Sequence, residues 1–148
     1  MYEYKALINR IIDGDTVDVD IDLGFGIWLR DERVRVMGID TPESRTSDKV
    51  EKQFGLAAKD RVLELIPEGT VQILKTEVNK DGEDMKGKFG RILGDFMTDE
   101  GDFITEVLID EGHAVEYNGQ SKEDIREQHY KNRKRLISEG KVIVKESS

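Results

Sequence analysis

With 148 residues, 36% of them hydrophobic and 37% charged, the chain is long enough for one well-buried core and must carry a densely charged surface. A net charge of −9 excludes a protein that coats nucleic acid by bulk electrostatics, although a bound cation and a local basic rim can still dock a phosphate. The absence of cysteine removes disulfides, thiolate zinc sites and cysteine nucleophiles, and two histidines are too few for a multi-histidine centre. Any metal is therefore expected on oxygen ligands, which points to calcium, magnesium or manganese. No apolar run approaches membrane-spanning length and the first residues lack leader-peptide character, so the expected setting is cytoplasmic, without membrane contact.

Tyr4 to Ile12 reads as a first strand, and Asp13-Gly14-Asp15 as a turn. The alternation V-D-V-D-I-D from Val17 predicts a second strand with Val17, Val19 and Ile21 on one face and three aspartates on a solvated face. A calcium-loop reading of Asp18, Asp20 and Asp22 fails, because Leu23 and Leu29 stand where such a loop needs glycine and glutamate. After the turn at Leu23–Gly26, Trp28 to Met37 returns as a third strand, with Arg33 and Arg35 opposite Val34 and Val36. Trp28 is expected in the core or over the barrel. Ser44 to Lys52 reads as a mobile loop, and a helix starts at Val50 or Gln53 and runs to about Leu65, stopped by Pro67. A strand over Val71–Lys75, extended as far as Val78, precedes a charged loop at Asn79–Lys88. Another strand, Ile92–Met97, turns at Asp99–Asp102. A short helix, Ile104–Glu111, ends at Gly112; a final helix covers Lys122–Glu139, with a frayed tail over 141–148. His113 and His129 read as ordinary polar residues, and the basic cluster Arg126, Lys131, Arg133, Lys134, Arg135 as a solvated helix face. The whole reads as one α+β domain over residues 1–148, mainly β. It is a five-stranded oligonucleotide-binding barrel with three helices and a core over about 4–140.

Two turns carry the chemistry. Asp13 and Asp15 lie in one, Asp40-Thr41-Pro42-Glu43 in the other, and Arg35 and Arg91 stand nearby in strand-rich sequence. Two acids for a hard cation, one acid for a water and two guanidiniums are what phosphodiester hydrolysis requires. The phosphate is anionic, a cation and bidentate arginines neutralise its oxygens, and a carboxylate can take the proton of the attacking water. Tyr117 is open between packing and base stacking.

The segments I-I-D-G-D-T at 11–16, R-V-R-V-M-G-I-D-T-P-E at 33–43, V-E-K-Q-F-G at 50–55, K-F-G-R-I-L at 88–93 and I-T-E-V-L-I-D-E-G at 104–112 together resemble the staphylococcal nuclease family. The resemblance implies calcium-dependent cleavage of DNA and RNA at the 5′ P–O bond, leaving 3′-phosphate ends, with little sequence specificity. It implies Asp15, Asp40 and the Thr41 carbonyl as metal ligands, Glu43 as general base, and Arg35 and Arg91 as the phosphate clamp, exposed at the site. Lys88 and Tyr117 are implied as outer contacts to the nucleotide. Calcium is the implied cofactor, with magnesium or manganese open on ligand chemistry. The expected partner is single-stranded or locally melted DNA or RNA, and the expected state a monomer. Phe89 departs from the family's common hydroxyl-bearing aromatic, and 113–120 matches poorly. The competing expectation is a barrel that binds nucleic acid or protein without turnover, a class that typically lacks these acids or arginines.

Overall fold

The computed structural model describes residues 2–77 and 91–145. Strands β1 (Tyr2–Asp13), β2 (Thr16–Asp22) and β3 (Trp28–Val36) form the expected meander. Helix α1 (Lys49–Leu65) follows, then β5 (Val71–Thr76) and β6 (Ile92–Met97), then α2 (Ile104–Glu111) and α3 (Lys122–Ser138). The five long strands close in the order β1-β2-β3-β6-β5, all antiparallel except the β3–β6 pair, which is the oligonucleotide-binding barrel plan. Two short strands, β4 (Ile39–Asp40) and β7 (Val115–Glu116), pair outside the barrel, and sequence alternation over two residues could not announce them. The Asn79–Lys88 loop and Phe89 lie outside the described residues.

Alternation sets the register. Val17, Val19, Val34 and Val36 are buried in the barrel with Ile8, Leu74 and Phe96, and each such side chain contributes about 1.5–3 kcal/mol. A one-residue slip of β3 would bury Arg33 and Arg35 in their place, so the hydrophobic face fixes where the arginines point. The parallel register Val34↔Ile92 and Arg35↔Leu93 then brings Arg91, one residue before β6, beside the arginine face of β3.

Several expectations are corrected. Asp20 is not on a solvated face: it is 8% exposed, accepts the Asp31 amide and the Asn9 side-chain amide, and pairs with Arg30 at 2.8 Å. Those donors hold its carboxyl below the usual range, with the Asp31 N–H the largest contributor. Trp28 is half-buried, with the Arg30 guanidinium 5.1 Å from its ring centroid. Helix α1 begins at Lys49, because the Asp48 carboxylate caps the Val50 and Glu51 amides. Helix α2 has no side-chain cap from its own N-cap residue, Phe103. Asp95 of β6 takes that role from outside, accepting the Thr105 amide as well as the Thr105 hydroxyl, the latter at 2.5 Å, and burial pushes its carboxyl up to about 6. The expected fray is also wrong as far as residue 145. Val142 packs with Phe54 and Leu136, and the Gln53 side-chain amide exchanges two hydrogen bonds with the Lys145 backbone at 2.8 and 2.9 Å. No helix among the described residues is long and apolar enough to cross a membrane.

Candidate active site

The β1–β2 turn presents Asp15. Its backbone carbonyl accepts the Val36 amide at 2.8 Å, which ties the turn to the end of β3. Its carboxylate accepts the Thr16 hydroxyl at 3.0 Å and the Thr41 amide at 3.3 Å, which ties it to the second turn. Gly14 makes this approach possible: a Cβ there would stand 3.0 Å from both Ala58 of α1 and the Thr41 methyl.

Arg35 leaves β3 on the polar face and bends over the same region. Its Nη2 lies 3.5 Å from Asp15 Oδ2 and donates to the Ile39 carbonyl at 2.8 Å, while Nη1 donates to the Val36 carbonyl. With its side chain only 22% exposed, Arg35 is not the freely exposed clamp that the resemblance implied. It braces the bend between β3 and β4 as well as facing the site.

Asp40 sits on β4, held by the pairings Ile39↔Glu116 and Asp40↔Val115 and by the Tyr117 amide donating to Gly38 O at 2.8 Å. The poorly matching segment after Gly112 is therefore the strand that fixes Asp40. Tyr117 itself is 50% exposed next to Gly38, and it is not among the residues lining the site. From α3, His129 reaches Asp40, with Nε2 2.7 Å from Oδ2. Sequence reasoning missed this contact, since an isolated histidine 89 positions away on a charged helix carries no local signal.

Thr41 is buried, and its hydroxyl is without a hydrogen-bond partner among the described residues. Pro42 then leads to Glu43, which is exposed, while its neighbour Ser44 is buried and bonded to the Asp13 carboxylate through both its amide and its hydroxyl. The Glu43 amide donates to Glu51 of α1 at 3.1 Å. Gly55 lets α1 come this close, because a Cβ there would lie 2.4 Å from the Glu43 carbonyl carbon and oxygen.

These turns enclose one depression of about 260 Å3, lined by Asp13, Asp15, Thr16, Arg35, Asp40, Thr41, Pro42, Glu43 and Arg91. Six residues singled out from the sequence thus meet in one place. Lys88 lies outside the described residues. Among the described residues no group of three or more acidic, histidine or cysteine side chains is arranged to hold a metal. Four carboxylates line the depression, of which that of Asp13 is taken up by Ser44. Asp15, Asp40 and Glu43 remain with Thr41, whose buried hydroxyl, orphaned among the described residues, is the kind of polar atom a ligand sphere or its water would satisfy. This all-oxygen set fits a hard divalent ion.

The profile described as staphylococcal nuclease homologue matches residues 33–142, which include Arg35, Asp40, Thr41, Glu43 and Arg91. The chain is 26% identical over 120 residues to the endonuclease YhcR of Bacillus subtilis, covering 78% of this chain and 9% of that protein. It is 34% identical over 87 residues to the thermonuclease of Staphylococcus intermedius, covering 59% and 45% respectively. Against the endonuclease YncB of Bacillus subtilis it is 33% identical over 114 residues, covering 74% and 48%. The chain therefore spans less than half the length of each of these three relatives. Profile, barrel and convergent turns agree: the chain belongs to the staphylococcal nuclease family.

Proposed function

We propose that the protein is a calcium-dependent nuclease that hydrolyses phosphodiester bonds of DNA and RNA with little sequence specificity. Cleavage falls at the 5′ P–O bond and leaves 3′-phosphate ends. The observation that carries this reading is the convergence of Asp15, Asp40, Thr41, Glu43, Arg35 and Arg91 on a single depression. Asp15, Asp40 and Thr41 would hold the cation, which as a Lewis acid neutralises charge on the phosphate. Arg35 and Arg91 bind non-bridging oxygens and stabilise the charge that builds as the water oxygen bonds to phosphorus. Glu43 accepts the proton of that water, and the 5′ oxygen leaves with the bonding pair and takes a proton from solvent. Single-stranded or melted substrate suits an open, half-exposed depression, and a monomer suffices because one chain supplies every named group.

The test is cleavage of single-stranded DNA and RNA in calcium, magnesium or chelator, with analysis of the new ends. Cleavage in calcium with 3′-phosphate ends is expected. No cleavage in any cation would leave only a binding module.

A further inference from the structure

The depression does not end at Glu43. A second cleft, of about 230 Å3, shares Asp40, Thr41, Pro42 and Glu43 with it and continues onto α3. Its far wall is a stripe of that helix at helical spacing: Lys122, Ile125, Arg126, His129, Tyr130 and Arg133. Among the described residues, Lys122 and Arg126 are exposed and make no ion pair within 4 Å. Tyr130, 49% exposed, carries the Arg133 guanidinium 5.0 Å from its ring centroid. Arg133 also lies over Phe54, and its buried Nε is without a hydrogen-bond partner among the described residues.

The acids on the opposite wall are already engaged. Asp48 caps α1 through two amides, and Glu51 accepts the Glu43 amide. Those carboxylates, with Asp40 and Glu43, stay anionic, so the acids of the cleft lie toward the depression and α1 while its cations, Lys122, Arg126 and Arg133, gather on α3. A basic line with an aromatic ring, continuous with a phosphate-cleaving depression, has the makeup of a groove that tracks a single strand. We propose that this cleft is a subsite for the nucleotides flanking the scissile phosphate of a single-stranded polynucleotide. Lys122 and Arg126 take backbone phosphates, and the Tyr130–Arg133 pair offers a surface to a base. The assignment rests on the nuclease reading of the depression it extends.

The experiment measures binding of labelled single-stranded DNA of about ten nucleotides, within the span one such barrel covers, by anisotropy in excess chelator. The Lys122→Ala/Arg126→Ala protein is expected to bind about tenfold more weakly, with a log–log salt slope smaller by about 1.4 for two lost phosphate contacts. Lys131→Ala/Lys134→Ala removes the same charge from exposed positions of α3 outside the cleft, and its affinity should match the wild type. Equal weakening by both pairs, or none by the first, overturns the subsite. Wild-type cleavage in calcium would in either case leave the nuclease reading standing. A wild-type protein that neither binds nor cleaves brings down both.

Discussion

Arg35 shows how one side chain can serve the fold and, on the proposed reading, the chemistry together. Its guanidinium satisfies the Val36 and Ile39 carbonyls and stands 3.5 Å from Asp15, so truncation removes a backbone brace together with the proposed phosphate donor. Arg35→Ala should slow cleavage by about 10²–10³-fold. It should also cost about 1–3 kcal/mol in urea unfolding, because two carbonyls lose a donor. Wild-type cleavage by that variant would remove Arg35 from the clamp. With Asp40 as the proposed ligand, His129 would act through it, since a hydrogen bond to one carboxylate oxygen fixes the direction of the other. His129→Ala should weaken calcium binding by about tenfold in calorimetry without nucleic acid. Unchanged affinity would mean the contact only docks α3. The acids and arginines that meet in the depression were singled out from the sequence because their residue types and spacing suit phosphate chemistry. His129 was not, because its role comes from tertiary docking of α3, and neither was the bracing role of Arg35, which depends on where the β3–β4 bend turns its carbonyls.

Among the elements, α1 is the platform under the site. Alanine is ordinarily better than glycine in a helix by about 1 kcal/mol. Gly55→Ala should nevertheless destabilise the protein by about 1–3 kcal/mol, since its Cβ would collide with the Glu43 backbone at 2.4 Å. Cleavage should fall as well, because the displaced residue, Glu43, is the proposed base. A stabilised, fully active Gly55→Ala protein would contradict that packing. The β6–α2 junction governs a pH response. The folded chain keeps the Asp95 proton up to about pH 6 whereas the unfolded chain releases it near 3.8, so this stabilisation is present below 3.8 and is lost as pH rises through about 6. Its size is on the order of 1–3 kcal/mol. Buried His113 works in the opposite sense: burial lowers its pKa from 6.5, so its contribution holds above 6.5 and is lost as pH falls. Asp95→Asn should therefore give a protein whose urea midpoint climbs between pH 4 and 6.5 more steeply than the wild type; parallel profiles would refute the Asp95 assignment. The barrel strands and α2 were legible because alternation, glycine and proline mark them. The β4–β7 pair, the Asp95 cap and the docked tail were not, since each depends on partners distant in sequence.

At the scale of the whole molecule, binding of a cation to the folded state alone raises stability by mass action. Calcium at a hundredfold above its dissociation constant should add about 2.7 kcal/mol. For a chain of this size that is a rise of about 5–11 °C in thermal midpoint. Asp40→Asn should lose most of it, and an undiminished shift would take Asp40 out of the ion's ligands. The closed ring of strands was legible as a fold class from element order, and the basic cluster of α3 was visible too, but it read as a solvated face because only the docking of α3 shows that Lys122, Arg126 and Arg133 line a cleft. The span between Asp40 and His129 also has a consequence in time. Those residues are 89 positions apart, and a chain made at about 5–20 residues per second needs roughly 4–18 s to pass from one to the other. Through that interval a nascent chain already displays Asp15, Arg35, Asp40 and Glu43 without the histidine that steadies Asp40. On the proposed reading, synthesis itself thus delays completion of the cleaving site while the chain is still attached to the RNA that encodes it.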